Sequence, residues 1–570
     1  MKRTLLASAV LLAMAGTASA TSQFGNITID GTPANSSALP TETNGIVTIE
    51  GSDTGYAFFA DSDLTIHGQK IRFERNTGTY TEVTRVVGNS STVIGGDETE
   101  LIYAKGGDGF VVLQKKAAGS PTLELNAKNI VIEATGAGVW AQNNSESLDI
   151  PGKHTTVDLN AENISIKTNA IGVAAYSNSE VNLNGNVLIE APNAIDVRGN
   201  SLVNINKTGD KHVVIKGDVV FETPNTQDDG QNSGKLINAK VNINLSGEGS
   251  SWTGRAYQQY KIGGVLADSV DFEAPVYHGN VRDFTVNISD GAAWNMTDDS
   301  FINTVAVKDG GSLNVSKDVE IFNAADVELS GGTLDIQGNA TINVNNLTGT
   351  GGDINLAAVI ADKQTVSSGT LTVKNAVASD THVDVNVVGF NADAVTDAKA
   401  VMASLNKKIQ VADGSKLTRT NTIVEGDVKG ALTQEVDAAG NAGTVTETVN
   451  QKLDGYSSIA ALSAVQWRHE NDTLLKRMGE LRDSAGVIGS WVRIYGSEQE
   501  YGAQSVTAKN TTVQVGADYD IGSGFKLGGA ISYTDGSSTF DMGESDANMY
   551  GVALYGTWLA DNGLFVDVIG

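Results

Sequence analysis

The sequence predicts an all-β chain in three parts: a right-handed parallel β-helix, a short linker α-helix, and the first strands of an antiparallel transmembrane β-barrel. Three observations predict it. A four-residue word, two apolar residues at i and i+2 with Asn at the fourth place, returns along the first half of the chain. Short alternating strands at a period of 20 to 30 residues mark a solenoid, because one coil cannot bury its apolar face alone. A charged stretch of 17 residues, Trp467 to Asp483, follows the last such word. After it come runs with one apolar face, one small or polar face, and aromatics at the ends, which is how barrel strands read in a membrane.

Taken in order, the chain begins with a leader. Lys2 and Arg3 precede an apolar run from Leu5 to Ala15, and Ala18-Ser19-Ala20 is a small-x-small cleavage site. That is a secretory signal over residues 1–20, too short to remain as a membrane span. Ala18 and Ala20 flank its cleavage. No later run of about 18 apolar residues predicts a transmembrane helix. The chain has no cysteine, so disulfides and thiolate metal sites are excluded.

The full chain of 570 residues carries a net charge of −28. Removing Lys2 and Arg3 with the leader takes it to −30. So acidic a chain argues against nucleic acid as a partner and suits a soluble surface beside anionic lipid heads.

The repeat shows best in two segments. "NAKNIVIEATGAGVWAQNNSE" from Asn126 and "NAENISIKTNAIGVAAYSNSE" from Asn160 match at an offset of 34. "VDLN" at Val157 then returns as "VNLN" at Val181, an offset of 24. Ser147 to Thr156 is therefore a ten-residue loop inserted into a 24-residue coil. "LELN" at Leu123 and "VNIN" at Val203 and Val241 repeat the word, and "LTIH" at Leu64 is a weaker copy. Apolar residues at i and i+2 share one face of a strand. The fourth position carries Asn126, Asn160, Asn184, Asn206 and Asn244, whose amides are expected to bond between stacked coils as a structural ladder. At about 24 residues per coil, residues 21–450 predict on the order of 15 coils and roughly 70 Å of solenoid.

After Ser457 the spacing turns helical, with Ile459, Leu462, Val465, Leu474, Met478 and Leu481 three or four apart. Ser457 or Ser458 is expected to cap the start, and Gly486 lies past the end. Arg468, His469, Glu470, Asp472, Lys476, Arg477, Glu480, Arg482 and Asp483 make the helix too charged for an apolar core. Beyond it, Val513, Val515, Ala517 and Tyr519 share a face, as do Leu527, Gly529, Ile531 and Tyr533, and Tyr550, Val552, Leu554 and Trp558. In the last run Leu564, Val566 and Val568 face away from Asp567. A soluble sandwich gives a similar alternation, so the pattern alone leaves both readings open.

The order of leader, solenoid, helix and strands resembles an autotransporter, the type V self-secreting proteins of Gram-negative bacteria. The words that carry the likeness are "LLKRMGELRDSAGVIGSWVRIYGSEQEYG" from Leu474, similar to the family's helix-to-barrel junction, and "INVNNLTGTGGDINL" from Ile342, "AAWNMT" at Ala292 and "SSWTG" at Ser250, similar to a pertactin-like passenger. The resemblance implies a leader at 1–20, a β-helical passenger at 21–450 with stabilising coils from about 330, a linker with its helix at 451–486, and the N-terminal part of a barrel at 487–570. It implies that the charged helix lies in the barrel lumen. It further implies an outer-membrane barrel with a cell-surface passenger, and contact with membrane lipid and the barrel-assembly machinery. With roughly five strands after Val487, the resemblance implies an incomplete barrel and a longer gene product. Asparagine-driven linker cleavage in one branch of the family uses an Asn-Asn pair that this chain replaces with Asp472-Thr473, so Asn471 or Asp472 is left as the candidate processing site.

Catalytic signatures are sparse. No G-D-S-G nucleophile loop occurs, and the six histidines, His67, His154, His212, His278, His382 and His469, stand singly. Trp140 and Tyr176, at comparable coil positions, hint at an exposed aromatic stripe. The expectation is a chain that is not an enzyme, with no catalytic, cofactor or metal residues, displayed for adhesion, autoaggregation or biofilm formation against a host surface or neighbouring cells. The alternative is a surface hydrolase acting on glycans or peptides.

Overall fold

The structure is a computed structural model that describes residues 41–43, 46–50, 58–60, 63–75, 82–88, 90–114, 120–143, 154–222, 238–262, 265–270, 281–362, 364–450, 453, 457, 460–462, 464, 474–501, 506–540 and 543–570. It divides into two compact units. The first comprises Met1–Phe390, Val395–Thr422 and Gln434–Val445, and the second Asn391–Ala394, Ile423–Thr433 and Thr446–Gly570.

The first unit is a stack of parallel strands. Among the described residues, parallel pairings join thirteen successive strands from Leu64–Ile66 to Ile409–Val411. Twelve steps of about 4.8 Å make this stack roughly 60 Å long. The two registers read from sequence are those found: Leu123 pairs with Val157 and Asn129 with Asn163, and Val157 pairs with Val181. The period is not held at 24, however. It is 22 from Val181 to Val203, 38 from Val203 to Val241, 43 from Val241 to Phe284, and 19 from Trp294 to Leu313. The ladder hydrogen bonds fix only which strand residues face each other, so corner loops absorb any insertion.

Inward-facing residues of successive coils form a continuous core. Val157, Val181, Val203 and Val241 are all fully buried. From the Val213–Glu222 strand onward the filling becomes aromatic. The indoles of Trp252 and Trp294 stack with centroids 4.2 Å apart and planes at 14°. Phe284 sits against both, and Phe221 packs on Phe284 and Phe301 at 5.5 and 5.4 Å. Each indole N–H finds a carbonyl, Trp252 at Gly217 and Trp294 at Gly254. Gly254, at φ +157°, must be glycine, since a Cβ there would stand 2.1 Å from the Gly217 oxygen.

Asparagine ladders run up the outside of the coils. Asn160 donates to Asn126 at 3.0 Å and Asn184 to Asn160 at 2.9 Å. A second ladder joins Asn129, Asn163 and Asn186, and a third joins Asn182, Asn204 and Asn242. Asn206 departs from the expected role. It turns the chain at φ 53°, and its amide donates to the Lys211 and Asn244 carbonyls instead. Coils are thus tied by side chains as well as backbone.

One element of this unit is not a strand and was not expected from the sequence. Ala398–Asn406 is an α-helix that buries Val401, Met402 and Leu405. Asp397 caps it by accepting the Ala400 N–H at 3.0 Å. The signal was present in "TDAKAVMASLN", an N-cap aspartate before apolar residues at helical spacing.

In the second unit, the Asp393 carboxylate accepts backbone N–H bonds from Asp427, Val428 and Lys429. These bonds, that from Lys429 foremost, hold its carboxyl below the usual range. The rest of the unit is five antiparallel strands in sequence order: β1 (Ile488–Tyr501), β2 (Val506–Gly522), β3 (Phe525–Phe540), β4 (Gly543–Leu559) and β5 (Phe565–Ile569). Residues 474–482 are helical, as are residues 453, 457, 460–462 and 464. Since Leu453 is already helical, Ser457 does not cap the start as the sequence suggested. The Leu453 N–H bonds the Asn450 carbonyl, so the turn begins there.

Candidate functional site

The five-stranded sheet has its polarity turned inside out. Val492, Ile494, Val515, Ile531, Val552 and Leu554 are exposed, Val552 by 81%. On the opposite face Thr512, Gln514, Asp518, Thr534 and Thr557 are buried. A soluble sandwich hides its apolar face, so this distribution decides between the two readings of the alternation. The apolar face suits lipid and the polar face a barrel interior.

Aromatic residues bracket the apolar face. Phe525 stacks on Trp558 at 5.7 Å, and Tyr533 lies against Tyr550 at 5.2 Å. The two pairs occupy facing positions of β3 and β4 eight residues apart, or about 27 Å along the strands. Leu527, Ile531, Val552 and Leu554 fill the interval, which matches an apolar band between aromatic girdles. The β2–β3 turn, Ser523 and Gly524, is as short as a hairpin allows, and both residues take positive φ.

The helix at 474–482 lies on the polar face. Leu474, Met478 and Leu481 pack on Ala530 and Tyr555. Its charges meet fixed partners. Arg477 pairs with Asp518 and Glu480 with Arg493. Arg482 reaches both oxygens of Asp567 at 2.6 Å. The Lys526 ammonium donates to the Leu481 carbonyl at 2.9 Å and to the Ser484 hydroxyl at 3.0 Å, closing the helix C-terminus. Asp518 also accepts the Tyr555 hydroxyl, which in turn accepts the Trp491 indole N–H at 2.8 Å.

Two glycines make room for these rings. A Cβ on Gly516 would stand 2.5 Å from the Trp491 ring, and one on Gly528 would stand 2.4 Å from the Tyr555 ring. The polar face therefore interleaves glycine notches with aromatic and charged side chains.

The charged helix and the strand faces were legible from sequence, and the structure brings them together. Asp518, Lys526, Tyr555 and Asp567 were not singled out, though their alternation with apolar residues was the available signal. Ala18, Ala20, Asn471 and Asp472 lie outside the described residues, as do His278 and His469. Among the described residues, no three His, Cys, Asp or Glu side chains form a group that could hold a metal ion, and no helix is long and apolar enough to cross a membrane. Of the two aromatics that hinted at a stripe, Tyr176 is only 3% exposed, so it is a packed side chain.

Residues 490–570 match the family model described as the autotransporter beta-domain. The chain is similar to the serine protease EspP of Escherichia coli, 31% identical over 143 residues that cover 22% of this chain and 11% of that protein. It is similar to the serine protease sat autotransporter of Escherichia coli O6:H1, 28% identical over 40% of this chain and 18% of that protein. To the pertactin autotransporter of Bordetella bronchiseptica it is 28% identical over 24% of this chain and 14% of that protein. The chain thus spans between about a tenth and a fifth of the curated relatives it matches. The crystal structure of the autotransporter UpaB from E. coli strain CFT073 aligns with a TM-score of 0.38 at 17% identity, over 70% of this chain and 95% of that one.

These relatives correct one expectation. The absence of a G-D-S-G loop and of clustered histidines pointed to a chain that is not an enzyme. Proteins named serine proteases match it repeatedly, EspP, sat, pet, EatA and EspC among them. The matches span a small share of each relative, so a missing motif in this stretch was poor ground for that exclusion.

Proposed function

We propose that this chain, which belongs to the autotransporters, uses its solenoid as a surface-displayed adhesive scaffold that binds host surfaces or neighbouring cells and promotes aggregation or biofilm growth. The match of residues 490–570 to the autotransporter beta-domain supports an outer-membrane position with a surface-exposed passenger. The reading is supported by two features of the one chain, the inverted polarity of β1–β5 and a long stack of coils tied by side-chain ladders. Such a stack is rigid and contacts solvent along its length, which suits many weak contacts made in parallel. In this reading residues 21–450 are the passenger, 451–486 the linker and 487–570 the barrel part, and the barrel-assembly machinery inserts the last of these.

Cells of a Gram-negative host expressing the chain with a complete barrel supplied after β5 test this. Settling and attachment to immobilised matrix should rise several-fold over cells expressing the same chain without residues 41–440. Equal settling and attachment, with the passenger shown at the surface by antibody, would sink the adhesive reading.

A second reading has one observation in its favour, the serine protease names of several relatives. In it the displayed chain cleaves peptide bonds. Release of label from casein by the purified chain, abolished by a serine-directed inhibitor, would support it, and no release would count against it.

A further inference from the structure

One titratable cluster on the solenoid has no part in the reading above. In the strands Ala137–Asn143, Ile171–Tyr176, Ser179–Arg198 and Val213–Glu222, the residues Val139, Val173, Ile195 and Val219 stack inward. The next residues, Trp140, Ala174, Asp196 and Val220, therefore stack on the outer face, and Gln142, Tyr176 and Arg198 stack beside them. Outer positions are ordinarily wet, yet Ala174, Tyr176, Asp196 and Val220 are all buried.

The side chains explain part of this. The Tyr176 ring stands edge-on to Trp140 at 6.0 Å, and its hydroxyl donates to Asp196 Oδ2 at 2.8 Å. The Arg198 guanidinium lies 3.7 Å over the Tyr176 ring and pairs with Glu222 at 2.9 Å. That leaves Asp196 Oδ1, which is buried and has no donor. Glu222 lies diagonally across from Asp196 on the same outer face, two residues past the register partner Val220, within reach of a long side chain. Two carboxylates bond each other only when one of them carries a proton.

We propose that Asp196 and Glu222 form a proton-binding site that latches this face shut, with one proton shared between the two carboxylates, and that its loss to solvent as the medium turns alkaline lets Glu222 and Arg198 swing out and uncover Tyr176 and Trp140. Geometry sets which group moves. Asp196 is mid-strand and buried, whereas Glu222 is the last residue of its strand and its side chain is 26% exposed. The titratable and charged groups facing Asp196 are Tyr176, Arg198 and Glu222. Burial, then the charge of Glu222, pushes the Asp196 carboxyl up to about 7. Burial, then the charge of Asp196, pushes the Tyr176 phenol far above its ordinary value, so it stays a donor throughout. A carboxyl raised in the closed form favours that form at low pH, and the preference is lost as pH rises through the raised value. The aromatic stripe suggested by the sequence is thereby present but gated.

Hydrogen exchange of the full chain, corrected for the intrinsic pH dependence of exchange, tests this. Between pH 5.5 and 8.5, protection of peptides covering 171–178 and 194–198 should fall at least tenfold with a midpoint near neutrality. Peptides covering 312–315 and 333–336 should keep theirs. Asp196→Asn and Glu222→Gln should each abolish the change, because an amide donates where a proton was needed. Tyr176→Phe should move the midpoint upward, since it removes a bond to the charged carboxylate. Unchanged protection in the wild type would overturn the proposal, as would an undiminished fall in protection in Glu222→Gln, whose partly exposed site leaves folding intact.

Discussion

Replacing Phe284 by alanine should cost about 4 kcal/mol, more than an aliphatic truncation elsewhere in the solenoid. Phe284 is fully buried and touches four rings: Phe221 at 5.5 Å, Trp252 at 5.8 Å, and Trp294 and Phe301 each at 6.4 Å. The change removes on the order of 100 Å³, and at about 24 cal/mol per Å³ of residual cavity the void term is roughly 2.4 kcal/mol. The lost transfer energy adds about 2 kcal/mol. Relaxation will recover little of this. Nine residue pairs hold the Val281–Ser289 strand in register on Asn238–Ser246, so the backbone cannot close the gap. Equilibrium unfolding in denaturant, followed by tryptophan emission, measures the loss, and the stacked Trp252 and Trp294 lie at the lesion. Coils contact only their neighbours, so the local signal is the relevant one. Phe284→Leu should cost no more than about 1.5 kcal/mol. A loss below about 1 kcal/mol for Phe284→Ala would refute the view that the aromatic block is tightly packed and unable to collapse.

Further outcomes follow from the same structure. In a version whose barrel is completed after β5, Gly516→Val should cut the amount of membrane-assembled protein several-fold by driving a side chain into Trp491, whereas Gly529→Ala, whose nearest neighbour would be 3.5 Å away, should assemble normally by heat-modifiability on gels. Arg482→Met should lower the thermal stability of the barrel part by leaving Asp567, then held by the Thr557 hydroxyl, without its counter-ion, and adding Asp567→Leu should restore it; if the double variant is no better than the single, the pair is not the cause. Bonds from Lys167, then Lys216, hold the Glu190 carboxyl low. Its stabilisation is therefore present above the ordinary glutamate value and lost as pH falls through the lowered one, so Glu190→Gln should flatten the acid limb of a melting-temperature profile below about pH 4.5. N-terminal sequencing of the exported protein should start at Thr21, after Ala18 and Ala20, and barrel material should show no cut between Asp472 and Thr473.

The sequence by itself determined the periodic part of this protein. Strand registers at Leu123, Val157 and Val181, the ladder of Asn126, Asn160 and Asn184, and the alternation along β2 to β4 all repeat at short range, and hydrogen-bonded stacking converts such repetition directly into neighbours in space. The charged helix was legible for the same reason, because helical spacing is local. Only the tertiary structure decided the rest. It chose a lipid-facing sheet over a sandwich, since alternation reports two faces but not which of them is buried. It placed Arg477 on Asp518 and Arg482 on Asp567, 41 and 85 residues apart in the chain, where no local pattern constrains pairing. It varied the coil length, because loops at the corners carry no register. It also brought Asp196 to Glu222, and burial made a shared proton out of two residues that, in so acidic a chain, had nothing in the sequence to set them apart.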